Sequence, residues 1–134
     1  MMRMFAGLAV ALLFSSTAFA DTSYSLAITP PSTAAKGTAV TVKVHVEGAG
    51  GWALNTEYPL SLSITAPSGV TVEKAVQSKT DAVKFDTTGA DFNVRFTAAT
   101  AGTKGFTGQL KFAVVQASNV VPKAAPFAFS VTVQ

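Results

Sequence analysis

From Tyr24 onward the chain alternates apolar and polar residues with a period of two, the spacing of strands that bury one face. The clearest run is Ala39 to Glu47, with Val40, Val42, Val44 and Val46 on one side and Thr41, Lys43, His45 and Glu47 on the other. Similar runs cover Tyr24 to Ile28, Leu60 to Ile64, Val70 to Val76, Asp91 to Thr97, Phe106 to Val114 and Phe127 to Val133, with a weaker one at Ala82 to Asp86. Turn chemistry separates them: Pro30-Pro31, Lys36-Gly37, Pro67-Ser68-Gly69, Thr88-Gly89, Ala101-Gly102 and Pro122. Helical spacing of apolar residues is absent after the first twenty positions.

Seven or eight short strands at this spacing predict an all-β domain, an immunoglobulin-like two-sheet antiparallel sandwich. A closed barrel is the alternative that the pattern leaves open. The inward positions are aliphatic early (Val40 to Val46, Leu60, Leu62, Ile64) and aromatic late (Phe92, Phe96, Phe106, Phe112, Phe127, Phe129). Such faces are expected to interdigitate across the roughly 10 Å gap between packed sheets. Gly48 to Gly51 and Ala117 to Pro126 read as the long irregular stretches, where a sandwich would present its function.

The amino-terminal twenty residues stand apart. Arg3 precedes an apolar run from Phe5 to Phe14, then Ser15-Ser16-Thr17, then Ala18-Phe19-Ala20. This is the layout of a cleaved secretory signal, and its apolar run is too short to span a bilayer. Residues 1–20 are therefore expected to be removed, and 21–134 to form one exported domain that works alone, periplasmic or secreted. No cysteine is present for a lipid anchor or a disulfide, and no later apolar run is long enough for membrane insertion. Packing alone must hold the sheets together.

Removing the signal also takes every methionine and one of two arginines. Nine basic side chains remain against seven carboxylates, a formal charge of +2. The lysines are scattered singly, without the basic clusters and interleaved aromatics that nucleic-acid binding requires, so no nucleic-acid partner is expected. Cofactor and metal chemistry lack donors: one histidine, no cysteine, and Asp81, Asp86 and Asp91 spaced five residues apart, unlike a calcium loop. His45 alternates with lysine and glutamate on an outward strand face and reads as a solvated histidine. No nucleophile elbow accompanies it, and no catalytic residues are assigned.

The segment Gly51-Trp52-Ala53-Leu54-Asn55-Thr56-Glu57-Tyr58-Pro59 concentrates the remaining chemistry. It holds the single tryptophan and one of two tyrosines, aromatic side chains with a polar handle that suit interfaces. Trp52, Asn55, Glu57 and Tyr58 are the candidate partner-binding residues. In the alternative reading Trp52 and Tyr58 cap one end of the core, and Asn55 satisfies backbone groups of the loop.

This segment, the Ala66-Pro67-Ser68-Gly69-Val70 turn, Phe92-x-Val94-x-Phe96 and Leu110-x-Phe112-x-Val114 resemble the amino-terminal periplasmic domain of DsbD-type thiol–disulfide reductases. The resemblance runs from about Lys36 to the end of the chain. It implies an immunoglobulin-like fold and an envelope location. The redox members carry a cysteine pair where Val115 and Val120 stand here, followed by Pro122. A valine forms neither thiolate nor mixed disulfide, so the resemblance implies a redox-inactive relative. The expectation is a non-catalytic envelope protein that binds a protein partner. An assembly subunit that adds its terminal strand, Phe127 to Val133, to another sheet is the alternative.

Overall fold

The computed structural model describes residues 22–134, and the expected signal segment lies outside them. These residues form ten strands: β1 (Tyr24–Thr29), β2 (Val40–Gly48), β3 (Ala53–Leu54), β4 (Ser61–Thr65), β5 (Val70–Val72), β6 (Val76–Ser78), β7 (Lys84–Phe85), β8 (Gly89–Ala98), β9 (Gly102–Gln116) and β10 (Asn119–Val133). The count exceeds the expected seven or eight because three- and two-residue strands flank the long ones. A 3-10 turn, Lys79–Asp81, leads from β6 toward β7.

Two antiparallel sheets form an immunoglobulin-like sandwich. The first has the order β1-β2-β8-β5, with β7 also pairing with β8; the second has the order β10-β9-β4-β6, with β3 also on β9. Val42, Val44, Val46, Phe92, Val94 and Phe96 from the first sheet meet Leu62, Leu110, Phe112 and Val114 from the second, all buried. The aliphatic–aromatic division seen along the chain does not separate the sheets. The valines of β2 and the phenylalanines of β8 are neighbours in one sheet, with Val44 opposite Phe92 and Val40 opposite Phe96.

Two sequence expectations need correction. Val70 to Val76 is not one strand, because β5 joins the first sheet and β6 the second. The chain crosses between sheets at 73–75, and the crossing shifts the alternation by one residue. Val76 then faces solvent while Gln77 turns inward. The Gln77 amide is satisfied by the carbonyl oxygens of Asn93 (3.1 Å) and Lys74 (3.4 Å), as a buried polar group requires.

The second correction concerns Ala117 to Pro126, which is not an irregular loop. Apart from the two-residue turn Ala117-Ser118, it belongs to β10, paired without interruption from Asn119 opposite Gln116 to Val133 opposite Gly102. Prolines fit because β10 is an edge strand. The N–H and C=O of Gln134 are bonded to Ala34 and Lys36, on the side away from β9. Residues of the same parity, Pro122 and Pro126 included, turn their amide positions toward that open edge, where a missing N–H breaks no ladder bond.

Ring contacts extend the core toward this edge. Phe106 packs on Phe96 at 4.8 Å between centroids and stacks on Phe129, also at 4.8 Å, while Phe127 follows at 6.3 Å from Phe129. Phe127 lies over its register partner Gly108, where a Cβ would sit only 2.5 Å from the ring.

Candidate functional site

The candidate binding segment begins where β2 ends. A Cβ on Gly48 would lie 2.1 Å from the Trp52 carbonyl oxygen, and Gly50 and Gly51 both adopt positive φ (62° and 86°). The chain thereby reverses, the Trp52 N–H donating to the Ala49 oxygen (3.1 Å). The reversal lays half-buried Trp52 against the core and delivers Ala53 and Leu54 to β9 opposite Val115 and Val114. Asn55 is absorbed by the loop. Its N–H donates to the Ala113 oxygen (2.9 Å), and its side-chain Oδ1 accepts from the Glu57 N–H (2.9 Å), an Asx turn. Exposed Glu57 borders a shallow depression of about 340 Å³ shared with Pro59, Leu60, Ser78, Lys79 and Thr80. Tyr58 is half-exposed. The four residues thus do not form one surface: Trp52 faces the core and Asn55 holds backbone.

What the fold does bring together is that segment and the tip of the β9–β10 hairpin. Val115 and Val120 are direct cross-strand partners, and Ala53 flanks Val115 from the other side. The row Ala53–Val115–Val120 therefore spans three adjacent strands on the outer face of the second sheet. Val120 is 47% exposed, one of three large apolar side chains so displayed among the described residues. The Gln116 amide reaches the Gly50 carbonyl at 3.5 Å, linking the hairpin to the Trp52 turn.

A second cluster escaped the sequence reading. His45 on β2 stands opposite Asp91 on β8. Its Nδ1 meets Asp91 Oδ1, and its Nε2 meets Glu47 Oε1 at 2.8 Å. It is half-buried rather than a freely solvated strand residue. Hydrogen bonding to Glu47, then to Asp91, raises the pKa of His45 above its ordinary 6.5, because the imidazolium alone can donate from both nitrogens. With both nitrogens engaged by carboxylates, the ring has none left for a hydroxyl. The signal in the sequence was weak, since only the strand register reveals Asp91 as the neighbour.

The other carboxylates considered for calcium are engaged locally. Asp81 accepts from Lys74 Nζ (2.7 Å) and from the Ser78 N–H (2.9 Å), and the lysine contact holds its pKa low. Asp86 accepts from Thr88 and Gly89 within its own turn, and the Thr88 hydroxyl lowers its pKa. Among the described residues no group of three or more His, Asp or Glu side chains is placed to hold a metal ion.

The sandwich fold has counterparts among solved structures. No protein-family model matches the chain, and no curated protein matches it. The structure is similar to a cohesin module from a family 33 glycoside hydrolase of Clostridium perfringens, with a TM-score of 0.50 and 12% identity, over 84% of this chain and 98% of that one. It is less similar to BslA, a bacterial hydrophobin, with a TM-score of 0.38 and 14% identity, over 84% and 95% of the two chains. At such identities the cohesin likeness establishes the sandwich fold alone.

Proposed function

We propose that this chain is a non-catalytic protein-interaction module of the cell envelope, binding its partner through the hairpin-tip end of the second sheet. The observation that carries the reading is the Ala53–Val115–Val120 row. Two segments distant in sequence are folded into one apolar strip with Val120 displayed at its rim. Val120 is the exposed member of this strip beside half-buried Val115 and Ala53, an apolar patch of the kind an interface core covers. Relation to the DsbD-type amino-terminal domain belongs to the same proposal, in redox-inactive form. It is supported by the pairing of Val115 with Val120, since two cysteines at such positions would face each other across the hairpin.

The test is affinity capture from an envelope extract after mild cross-linking, with Val120→Asp as the control. Trp52 is a poor control because it packs on the core. A captured protein that Val120→Asp releases, at unchanged thermal stability, supports the reading. Capture that is indifferent to Val120→Asp refutes this surface.

A further inference from the structure

The outer faces of the two sheets differ sharply in charge. Strand register assigns Lys43, His45, Glu47, Lys84, Asp91 and Arg95 to the outer face of the first sheet. All of these but Lys43 stand in ion pairs: His45 with Asp91 and Glu47, Lys84 with Asp86 at 3.8 Å, and Arg95 with Glu73 at 2.9 Å. The outer face of the second sheet is built from Ser, Thr, Gly, Ala, Pro, Gln and Val, and Lys111 is the one charge its strands carry there, with the Lys74–Asp81 pair standing at its β6 edge beside Ser78. Two of the three exposed large apolar side chains, Val76 (63%) and Val120 (47%), lie on this same face. Solvated faces ordinarily carry interspersed charges that oppose association, and the second sheet lacks them.

From this partition we infer that the outer face of the second sheet is a self-association surface whose occupant is a second copy of the chain, docked face to face. The size fits. Strands of fifteen residues, such as β9 and β10, run about 50 Å, and strands spaced ~4.8 Å apart widen the middle of the face through β4 and β6. The face is on the order of 700 Å², close to the ~800 Å² that each partner contributes to a standard interface. Its short side chains allow two sheets to approach, and the strands of its own copy bring no charge except Lys111, whose long stem can carry the ammonium out to solvent.

The geometry also selects docking by the face over pairing by the edge. Pro122 and Pro126 remove two donors from the open edge of β10, and Lys123 between them alternates onto the inner side. Both devices oppose strand addition. At its far end the edge is already occupied, since Gln134 bonds to Ala34 (2.8 Å) and Lys36 (2.9 Å). The terminal strand is committed to its own sheet, and the face remains.

Self-association is separable from partner capture. Ala128 lies on the outer face opposite Thr107, about 26 Å along β10 from Val120 at strand rise. The experiment is sedimentation equilibrium of the purified protein from low-micromolar to near-millimolar concentration, with Ala128→Glu and, on the exposed outer face of β1, Ala27→Glu. A reversible dimer that Ala128→Glu abolishes and Ala27→Glu leaves intact, with thermal unfolding unchanged in both, is expected. A monomer throughout, a dimer indifferent to Ala128→Glu, or a dimer lost with Ala27→Glu overturns the inference. Val120 lies on this face as well, so the two readings are told apart by Ala128→Glu, which should remove the dimer and leave partner capture in place.

Discussion

Gly108→Ala tests how β10 closes the core. The added methyl would lie 2.5 Å from Cζ and 2.7 Å from Cε1 of Phe127, and 2.8 Å from the Ser63 carbonyl oxygen. The two collisions relax differently. Phe127 is half-buried at the rim and can swing outward, forfeiting about 1 kcal/mol, roughly half the value of burying a phenylalanine. The Ser63 carbonyl belongs to β4, which pairs with β9. It moves only with the strand, an overpacking cost of about 1–3 kcal/mol. Alanine regains about 0.5–1 kcal/mol over glycine in a strand. The net loss is on the order of 1–3 kcal/mol, a fall in Tm of about 4–12 °C for a domain of this size. Urea and thermal unfolding of Gly108→Ala, Phe127→Ala and the double variant form the assay. The double variant should be less damaging than the sum of the singles by about 1 kcal/mol, because the ring collision vanishes once Phe127 is gone. Strict additivity, or a neutral Gly108→Ala, would refute the account of Phe127 filling the place of a missing side chain.

The pKa of His45 is raised in the folded state, so its contribution is fully present below about 6.5 and is lost as pH rises through the higher folded value. Thermal scans from mildly acidic to mildly alkaline pH should show that decline, and His45→Gln should flatten it. Ala117 adopts φ 55° without being glycine, so Ala117→Gly should stabilise the hairpin by about 1 kcal/mol in chemical denaturation. The double variant Val115→Cys/Val120→Cys should oxidise spontaneously to an intramolecular disulfide worth about 2 kcal/mol for so short a loop. Thiol titration reads its formation, and free thiols persisting under oxidant would contradict the register.

Alternation along single strands was legible from the sequence because it depends only on neighbours two residues apart. Val40 to Val46 and Phe92 to Phe96 were placed on inner faces for that reason, and the sandwich followed. Sheet membership was not legible, since it depends on contacts between remote segments. β2 and β8 are adjacent strands although nearly fifty residues separate His45 from Asp91, and no local pattern marks that pairing. The crossing at 73–75 was hidden because Val70, Val72 and Val76 keep the same parity while the chain changes sheets. The candidate site was legible in part. The Trp52 to Tyr58 segment and Val115 were singled out separately, but only the pairing of β3 with β9 sets Ala53 of that segment beside Val115.

β10 shows why proline-rich stretches mislead. Pro122 and Pro126 suggest a loop on composition, yet both share the parity of Gln134, whose backbone groups face away from β9. One parity rule therefore explains three observations together. The prolines are tolerated because their missing donors would have met no ladder partner. The edge is protected because those donors are missing where another strand would seek them. The residues at the same positions, Val120 through Thr132, are also the ones whose side chains form the uncharged outer face. An edge guarded by Pro122, Pro126 and inward Lys123 needs no charges on the outward side chains of β10. The composition that conceals the strand in the sequence is thus what leaves its face open for docking.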